Sequence, residues 1–225
     1  VDYLKTVHIP NLNIPQLMPD FLKQIRDRLD QPLPAGAAHR LLEPQQAYGR
    51  HQGPFTHTAR PAAVAILLFN DHPHGWHFPL TKRPEHLKEH AGQICFPGGG
   101  REPGESSLQC ARREVQEELG VDTSDFDVLG WLSPLFVFGT NYVIEPVVLA
   151  GGPQPPLDPN PDEVTNVMDL SVATCRELPT PASIRIHRAG MEFDTPAWEI
   201  QGHCVWGATA MVLSEWRHVL KDASR

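Results

Sequence analysis

Three glutamates, Glu114, Glu117 and Glu118, stand at positions i, i+3 and i+4 of one short segment. If that segment is helical, the three carboxylates share one face within a single turn. Like charges at this spacing destabilise a helix by about 0.2 to 0.5 kcal/mol per pair, so the arrangement calls for a compensating group. A divalent cation would supply it, and oxygen ligands without Cys or His favour Mg²⁺ or Mn²⁺ over zinc. The alternative is a solvated acidic helix face.

The segment that carries these glutamates has the sequence signals of a helix with defined ends. Ser106 or Ser107 can cap its N-terminus, and Gly120 stands where a left-handed C-terminal cap is expected. Four apolar residues recur at helical spacing and predict the buried stripe, namely Leu108, Ala111, Val115 and Leu119. A glycine-rich loop precedes them, so the sequence predicts a loop followed by a helix that presents three carboxylates.

Hydrophobic patterns elsewhere predict strands with helices on both sides of a sheet, which is an α/β sandwich. The predicted strands are Ala62 to Phe69, read as the buried central strand, Trp76 to Thr81, Ile94 to Pro97, Tyr142 to Ala150 and Met191 to Ile200; the predicted helices are Leu17 to Leu29 and Ala208 to Leu220. We expect residues 1–61 to form an N-terminal helix and an irregular extension packed on a domain of residues 62–225.

The acidic helix is part of a longer pattern with nine constrained positions: Gly99, Glu105, Arg113, Glu114, Val115, Glu117, Glu118, Gly120 and Val121. This pattern resembles the Nudix box and meets every fixed position of it. The resemblance implies an α/β/α sandwich around a mixed β-sheet, and Mg²⁺- or Mn²⁺-dependent hydrolysis of a diphosphate bond in a nucleotide derivative. It also implies that Glu114 and Glu118 bind the cation, that Glu117 supports or joins them, and that Arg113 with Glu105 holds loop and helix in register.

Hydrolysis of a diphosphate needs a base for the attacking water, because the negative charge of the substrate repels the nucleophile. In the Nudix family the base is a glutamate of the box or one from a later loop. The proline-rich loop from Gly151 to Pro161 leads to Glu163, which is our candidate, against the alternative of a solvated loop acid. The candidate catalytic residues are therefore Arg113, Glu117 and Glu163.

The segment from Leu80 to Gly99 resembles the signature of the coenzyme A diphosphatase branch of Nudix enzymes. The match departs from that signature where Pro79 replaces a leucine, Pro84 replaces a small residue and Lys88 replaces an arginine. Lysine keeps the positive charge but not the bidentate fork that grips phosphate. The resemblance implies hydrolysis of coenzyme A or acyl-CoA to 3',5'-ADP and 4'-phosphopantetheine or its acyl form.

This segment concentrates cationic groups beside a glycine-rich turn in an acidic protein, which suits a polyanion such as the 3'-phosphate of coenzyme A. The candidate substrate-binding residues are Lys82, Arg83, Lys88, His90, Gly98 and Gly99. The alternative is an exposed basic loop with packing histidines. Downstream, the apolar stretch from Leu135 to Phe138 could meet a pantetheine or acyl tail, although a buried core suits most of it.

Two other functions stay open at this point. One is a Nudix pyrophosphatase on ADP-ribose or another nucleoside diphosphate derivative, which the altered upstream signature favours. The other is a catalytically silent nucleotide-binding domain on the same fold, against which the intact Glu114, Glu117 and Glu118 weigh. The family resemblance also implies a possible homodimer.

Composition narrows the class of partner. The net charge of -8 argues against a general nucleic-acid binder. The longest apolar run, Ala62 to Phe69, is far shorter than the roughly 20 residues that cross a bilayer. The first residues lack the pattern of a secretory signal, and the four cysteines are widely spaced without a C-x-x-C pair. We expect a cytoplasmic protein that acts on a small-molecule nucleotide, without a membrane or nucleic-acid partner.

Overall fold

A computed structural model describes residues 19–44, 58–71, 75–87, 90–188 and 191–223 of the 225-residue chain. The helices are α1 (Asp20–Leu29), α2 (Gly36–His39), α3 (Ser107–Leu119), α4 (Val172–Arg176) and α5 (Gly207–Asp222). The strands are β1 (Arg60–Asp71), β2 (Gly75–Lys82), β3 (Ile94–Cys95), β4 (Gly98–Gly100), β5 (Asp127–Trp131), β6 (Leu135–Val137), β7 (Tyr142–Ala150), β8 (Asn166–Ser171), β9 (Ala182–Arg188), β10 (Met191–Ile200) and β11 (His203–Trp206).

Strand β1 is the centre of an eight-stranded mixed sheet. It runs parallel to β7 along most of its length, and it pairs antiparallel with β2 at one end and with β4 at the other. The main path of the sheet is β3-β2-β1-β7-β5, with β4, β6 and β8 pairing to single members of it. The strand predicted from Ala62 to Phe69 is thus confirmed, and it extends two residues further at each end.

The unbroken apolar run of β1 is explained by burial on both of its faces. Ala65 and Leu67 pack into one core with helix α3, whereas Ile66 and Leu68 pack into a second core with helix α5. Because strand side chains alternate between faces, one strand supplies both hydrophobic layers. This places helices on both sides of a mixed sheet and confirms the predicted α/β/α sandwich.

Helix α3 is stabilised at both ends by the residues that the sequence indicated. Ser106 is the N-cap, and its side chain accepts a hydrogen bond from the Gln109 backbone in a capping box. Gly120 ends the helix with a φ of 69°, a left-handed conformation that glycine adopts without steric cost. Ala111, Val115 and Leu119 are fully buried, so the helix is fixed on the sheet by its apolar stripe.

One expectation about the strands needs correction. The strand expected from Ile94 to Pro97 ends earlier, as β3 (Ile94–Cys95), and the glycines after it form a separate short strand, β4. Pro97 separates the two, because it has no N–H to continue a ladder; its carbonyl accepts from the Ala65 N–H. The strand predicted from Met191 to Ile200 is confirmed as β10, with the same bounds. It forms a separate three-stranded sheet in the order β11-β10-β9.

The N-terminal helix α1 begins at Asp20, and residues 17 and 18 of the predicted helix lie outside the described residues. Its buried face, Leu22, Ile25 and Leu29, joins the core that contains α5. Most of the extension expected over residues 1–61 also lies outside the described residues, namely 1–18 and 45–57. Among the helices in the described ranges, none is long and apolar enough to cross a membrane.

Candidate functional site

The glycine-rich loop brings the start of the acidic helix against the central strand. Strand β4 pairs with β1 through Gly98 opposite Val64 and Gly99 opposite Ala63. A Cβ atom at Gly99 would overlap the carboxylate of Glu114, so any side chain here would displace that carboxylate. The loop therefore sets how closely the helix carboxylates approach the sheet.

Glu114, Glu118 and Glu163 form a carboxylate cluster in which each residue offers one oxygen and these oxygens lie within 4.8 Å of one another. Two of them come from α3, one turn apart. The third comes from the loop before β8, where the Glu163 N–H donates to the Asn160 carbonyl at 3.0 Å. The Asn160 N–H in turn donates to the Glu118 carbonyl at 3.0 Å, so the loop is fastened to the end of the helix.

The two helix carboxylates of the cluster are buried, Glu118 to 1% exposure and Glu114 to 9%. Burial, the charge of Glu114 and that of Glu163 raise the pKa of Glu118 to about 8, despite Arg83 and a hydrogen bond from the Gly98 backbone. Burial likewise raises the pKa of Glu114, with Glu117 and Glu163 adding to the effect. Arg83 and Arg113 therefore offset only part of the negative charge that the carboxylates of this cluster would carry.

The cluster fits a divalent cation. Glu118 Oε2 is buried without a hydrogen-bond partner among the described residues, which is costly for a charged oxygen unless another group binds it. Three carboxylates form the hard oxygen set that such ions prefer. A cation would both occupy the orphan oxygen and relieve the repulsion among the three acids.

Glu117, expected among the metal ligands and the catalytic residues, lies outside the carboxylate cluster. Its carboxylate accepts a hydrogen bond of 2.9 Å from Arg113 and is half exposed. Arg113 also binds both carboxylate oxygens of Glu105, at 2.9 and 3.1 Å, and one oxygen of Glu114 at 2.9 Å. A further bond from Arg113 reaches the Gly100 carbonyl at 3.0 Å. Arg113 therefore bonds to both the loop and the helix.

A cavity of about 1040 Å³ lies next to the carboxylate cluster. The cluster carboxylates are not among its described lining residues, but two lining residues approach them: Gly99 lies against Glu114, and Arg83 Nη1 lies 3.9 Å from Glu118 Oε1. Four of the six candidate substrate-binding residues line the cavity: Arg83, His90, Gly98 and Gly99. Lys82 is not among the lining residues and forms an ion pair of 3.1 Å with Glu85. Lys88 lies outside the described residues.

Two lining residues of the cavity approach polar groups of the site. His90 has a φ of 58°, uncommon for a residue with a side chain, and its Nδ1 lies 2.7 Å from Gln93 Oε1. Arg83 Nη1 lies 3.9 Å from Glu118 Oε1. The guanidinium of Arg83 thus lies between the cavity and the carboxylate cluster.

Sequence reasoning missed part of the cavity wall. Tyr142, Phe193 and Met211 line the cavity but belonged to segments interpreted only as strands or a closing helix. Glu163 was considered as a base rather than as a neighbour of the metal-binding pair. No local signal marks these roles, because long-range folding brings the segments together.

Comparison with known proteins identifies the family of this chain. The NUDIX domain family model matches residues 59–188, which is more than half of the chain. Proteins named "Uncharacterized Nudix hydrolase NudL" from Yersinia pestis (strain Pestoides F) and Yersinia pseudotuberculosis serotype O:1b are 32% identical over 176 residues, which covers 77% of this chain and 85% of each relative. The crystal structure of the MutT protein from Methanosarcina mazei Go1 overlaps 71% of this chain and 92% of its own, with a TM-score of 0.46 and 19% identity. On the family match and the sequence identity, the chain belongs to the Nudix family, as a Nudix hydrolase that acts on phosphorus anhydrides.

Proposed function

We propose that this enzyme hydrolyses the diphosphate bond of coenzyme A or an acyl-CoA, with Mg²⁺ or Mn²⁺, to 3',5'-ADP and 4'-phosphopantetheine or its acyl form. The observation that carries the proposal is the adjacency of the carboxylate cluster to a large cavity lined by Arg83 and His90. The cavity is at the upper end of the range for small-molecule sites, roughly 300 to 1,000 Å³, which favours a substrate with a long second arm.

In this proposal Glu114 and Glu118 hold the cation, with Glu163 as the third carboxylate beside them. When bound, the cation offsets the charge of the diphosphate and orients it for attack. Glu117 acts indirectly, since its hydrogen bond to Arg113 keeps that arginine between loop and helix. Arg113 is accordingly a positioning residue.

Glu163 is the proposed base. Its carboxylate lies in the cluster and is only half-buried, and Asn160 Nδ2 approaches its Oε1 at 3.4 Å. A water that attacks phosphorus beside Glu114 and Glu118 would be within reach of this group. The water oxygen then bonds to phosphorus, its proton passes to Glu163, and the bridging oxygen leaves with the other phosphate.

Arg83, His90 and the backbone of Gly98 and Gly99 are the proposed contacts of the nucleotide. Arg83 is suited to phosphate because its guanidinium can form two parallel hydrogen bonds. Lys82 is a weaker candidate, since it would have to leave Glu85 to reach the cavity. Lys88 stays a prediction from the sequence.

The deciding experiment is product analysis after incubation of the enzyme and Mg²⁺ with coenzyme A, acetyl-CoA, ADP-ribose or dinucleoside polyphosphates. Formation of 3',5'-ADP from coenzyme A supports the proposal. AMP from ADP-ribose, without turnover of coenzyme A, would replace it with the alternative nucleotide substrate. Nucleotide binding without turnover of any compound would instead indicate the silent domain.

We also propose a reducing, cytoplasmic location and the division of the chain into an extension of residues 1–61 and a catalytic domain of residues 62–225. All four cysteines are free, which supports the first proposal. The start of β1 at Arg60 supports the second. A homodimer stays an expectation that analytical ultracentrifugation can check.

A further inference from the structure

One part of the cavity lining is apolar and comes from a segment beyond the family match. We name this part the apolar wall and define it as Phe193, Trp206, Ala208, Met211 and Val212. These residues belong to β10, β11 and α5, whereas the NUDIX family model ends at residue 188. The wall is thus supplied by a part of the chain that the shared family features do not specify.

The wall residues pack against one another and against the core beneath them. The Phe193 and Trp206 rings lie 5.8 Å apart between centroids at 64°, an edge-to-face arrangement that stabilises both. Met211 and Val212 are buried to 0% and 2% exposure, so their positions are fixed by the core beneath. Phe138, 47% exposed, lines the same cavity from the β6–β7 turn.

Two polar groups near the wall already have partners. The Thr209 hydroxyl donates to the Ile94 carbonyl at 2.9 Å, and the Glu192 carboxylate pairs with His187 at 2.9 Å. An adenine base placed here would leave its polar edges without partners, and each buried polar group without a partner costs free energy. A hydrocarbon chain has no such groups and gains free energy from each methylene that it buries.

We propose that the apolar wall is the specificity element of this enzyme, with Phe193 and Trp206 as the residues that bind the hydrocarbon of the acyl-pantetheine arm. The inference rests on the proposed function, since it concerns the part of the substrate beyond the diphosphate. Acyl thioesters with a chain long enough to reach the wall should therefore be better substrates than free coenzyme A.

The test compares kcat/KM for free coenzyme A, acetyl-CoA, hexanoyl-CoA, decanoyl-CoA and ADP-ribose, in wild-type enzyme and in Phe193→Ser. In the wild type we expect kcat/KM to rise along the acyl series by up to about fourfold per buried methylene. In Phe193→Ser, the ratio of kcat/KM for decanoyl-CoA to that for free coenzyme A should fall at least about tenfold.

Ile186→Ser is the matched control, because Ile186 pairs directly with Phe193 on the neighbouring strand but does not line the cavity. Its ratio should stay close to that of the wild type. Circular dichroism and thermal unfolding check that each variant folds. If Phe193→Ser does not fold, Phe193→Leu replaces it, with the same direction of change and a smaller factor.

Three outcomes would overturn the inference. If kcat/KM in the wild type is the same along the acyl series and coenzyme A is still hydrolysed, the wall does not set specificity, but the proposed function stands. An equal loss on every substrate in Phe193→Ser, ADP-ribose included, assigns the wall to the adenine base. Turnover of ADP-ribose alone overturns the proposed function itself, and the inference with it.

Discussion

Arg83 Nη1 lies 3.9 Å from Glu118 Oε1, so the one arginine in the described part of the cavity lining faces a carboxylate of the cluster. Arg83 Nε is buried without a hydrogen-bond partner in the described residues, and so is Glu118 Oε2. Both groups therefore have unused hydrogen-bonding capacity at the boundary between the carboxylate cluster and the cavity. A cation on Glu118 and a phosphate on Arg83 would use that capacity together.

We accordingly predict that Arg83→Ala lowers kcat/KM for the preferred substrate by about a hundredfold, since a charge-assisted bidentate contact is lost. Arg83→Lys should recover part of this loss, because it restores the charge but not the planar fork. Steady-state kinetics with both variants measure the difference. Arg185→Ala is the control. Arg185 is exposed and, within the described residues, its guanidinium bonds to Asp194 alone, at 2.9 and 3.0 Å. Equal rates for Arg83→Ala and the control would remove Arg83 from the substrate site.

The second prediction concerns Glu118. Glu118→Gln should lower kcat at least about a hundredfold without unfolding the protein, because the variant loses a charge on which the cation depends. Chelation of divalent ions should abolish the activity of the wild type, and added Mg²⁺ or Mn²⁺ should restore it. Glu102→Gln, an exposed acid in the loop before α3, is the control. Near-normal turnover by Glu118→Gln would contradict the metal assignment.

The third prediction uses two neighbouring glycines of β4. Gly99→Ala should weaken Mn²⁺ binding at least about tenfold, because the new methyl group overlaps Glu114 and displaces a cluster carboxylate. In Gly100→Ala the added carbon would meet the Tyr142 hydroxyl at 3.6 Å, an ordinary contact, so this variant should bind Mn²⁺ more nearly like the wild type. Calorimetric titration of both proteins gives the comparison. The assignment of Glu114 fails if the two variants bind equally well.

A fourth prediction concerns stability, through Glu215 in the middle of α5. This fully buried carboxylate accepts bonds from the Ala35 N–H at 2.8 Å and from the Ser133 hydroxyl at 2.7 Å, and it lies 3.4 Å from His39. Burial by itself would raise the pKa of Glu215, but the interactions with His39 and Ser133 outweigh it and hold the pKa below its ordinary value of 4.5.

Because its pKa is depressed in the folded state, ionised Glu215 contributes stability above the unfolded pKa, and that contribution is lost as pH falls through the folded pKa. We expect Glu215→Gln to lower the free energy of unfolding near neutral pH by about 1 to 3 kcal/mol and to flatten its decline in acid. Urea unfolding across the acid range, with the exposed Glu177→Gln as control, tests this. A variant whose acid decline parallels that of the wild type would exclude Glu215 as the titrating group.

The elements predicted well are those with long, strong periodicity. The run from Ala62 to Phe69 and the capped helix α3 each carry several agreeing signals, so local pattern and tertiary packing point to the same structure. Strands β5, β6 and β8 were not predicted, because three to six residues are too few to show a period above chance. Strand β9 does alternate, with Ile184 and Ile186 half-buried between exposed neighbours, and it was overlooked.

The candidate site shows the same division between local and distant information. Spacing grouped Glu117 with Glu114 and Glu118. The sequence could equally have predicted the ion pair of Glu117 with Arg113, which stands four residues before it. Glu163 could not be assigned to the cluster from sequence, because its position depends on how a loop 45 residues further along returns to the helix. The cavity wall from β10 and β11 depends on still longer-range packing.

The loop that carries Glu163 has five prolines between Gly151 and Pro161, and it is fixed at several points along its length. The Asp158 and Asn160 N–H groups bond to the last turn of α3, and Gln154 lies 2.9 Å from His77. Prolines restrict the backbone and the bonds above fix the loop, so the loop has little conformational entropy left to lose when a ligand binds. Cation association should then proceed in a single kinetic phase whose rate is proportional to ion concentration, without a slow ordering step that would make it level off.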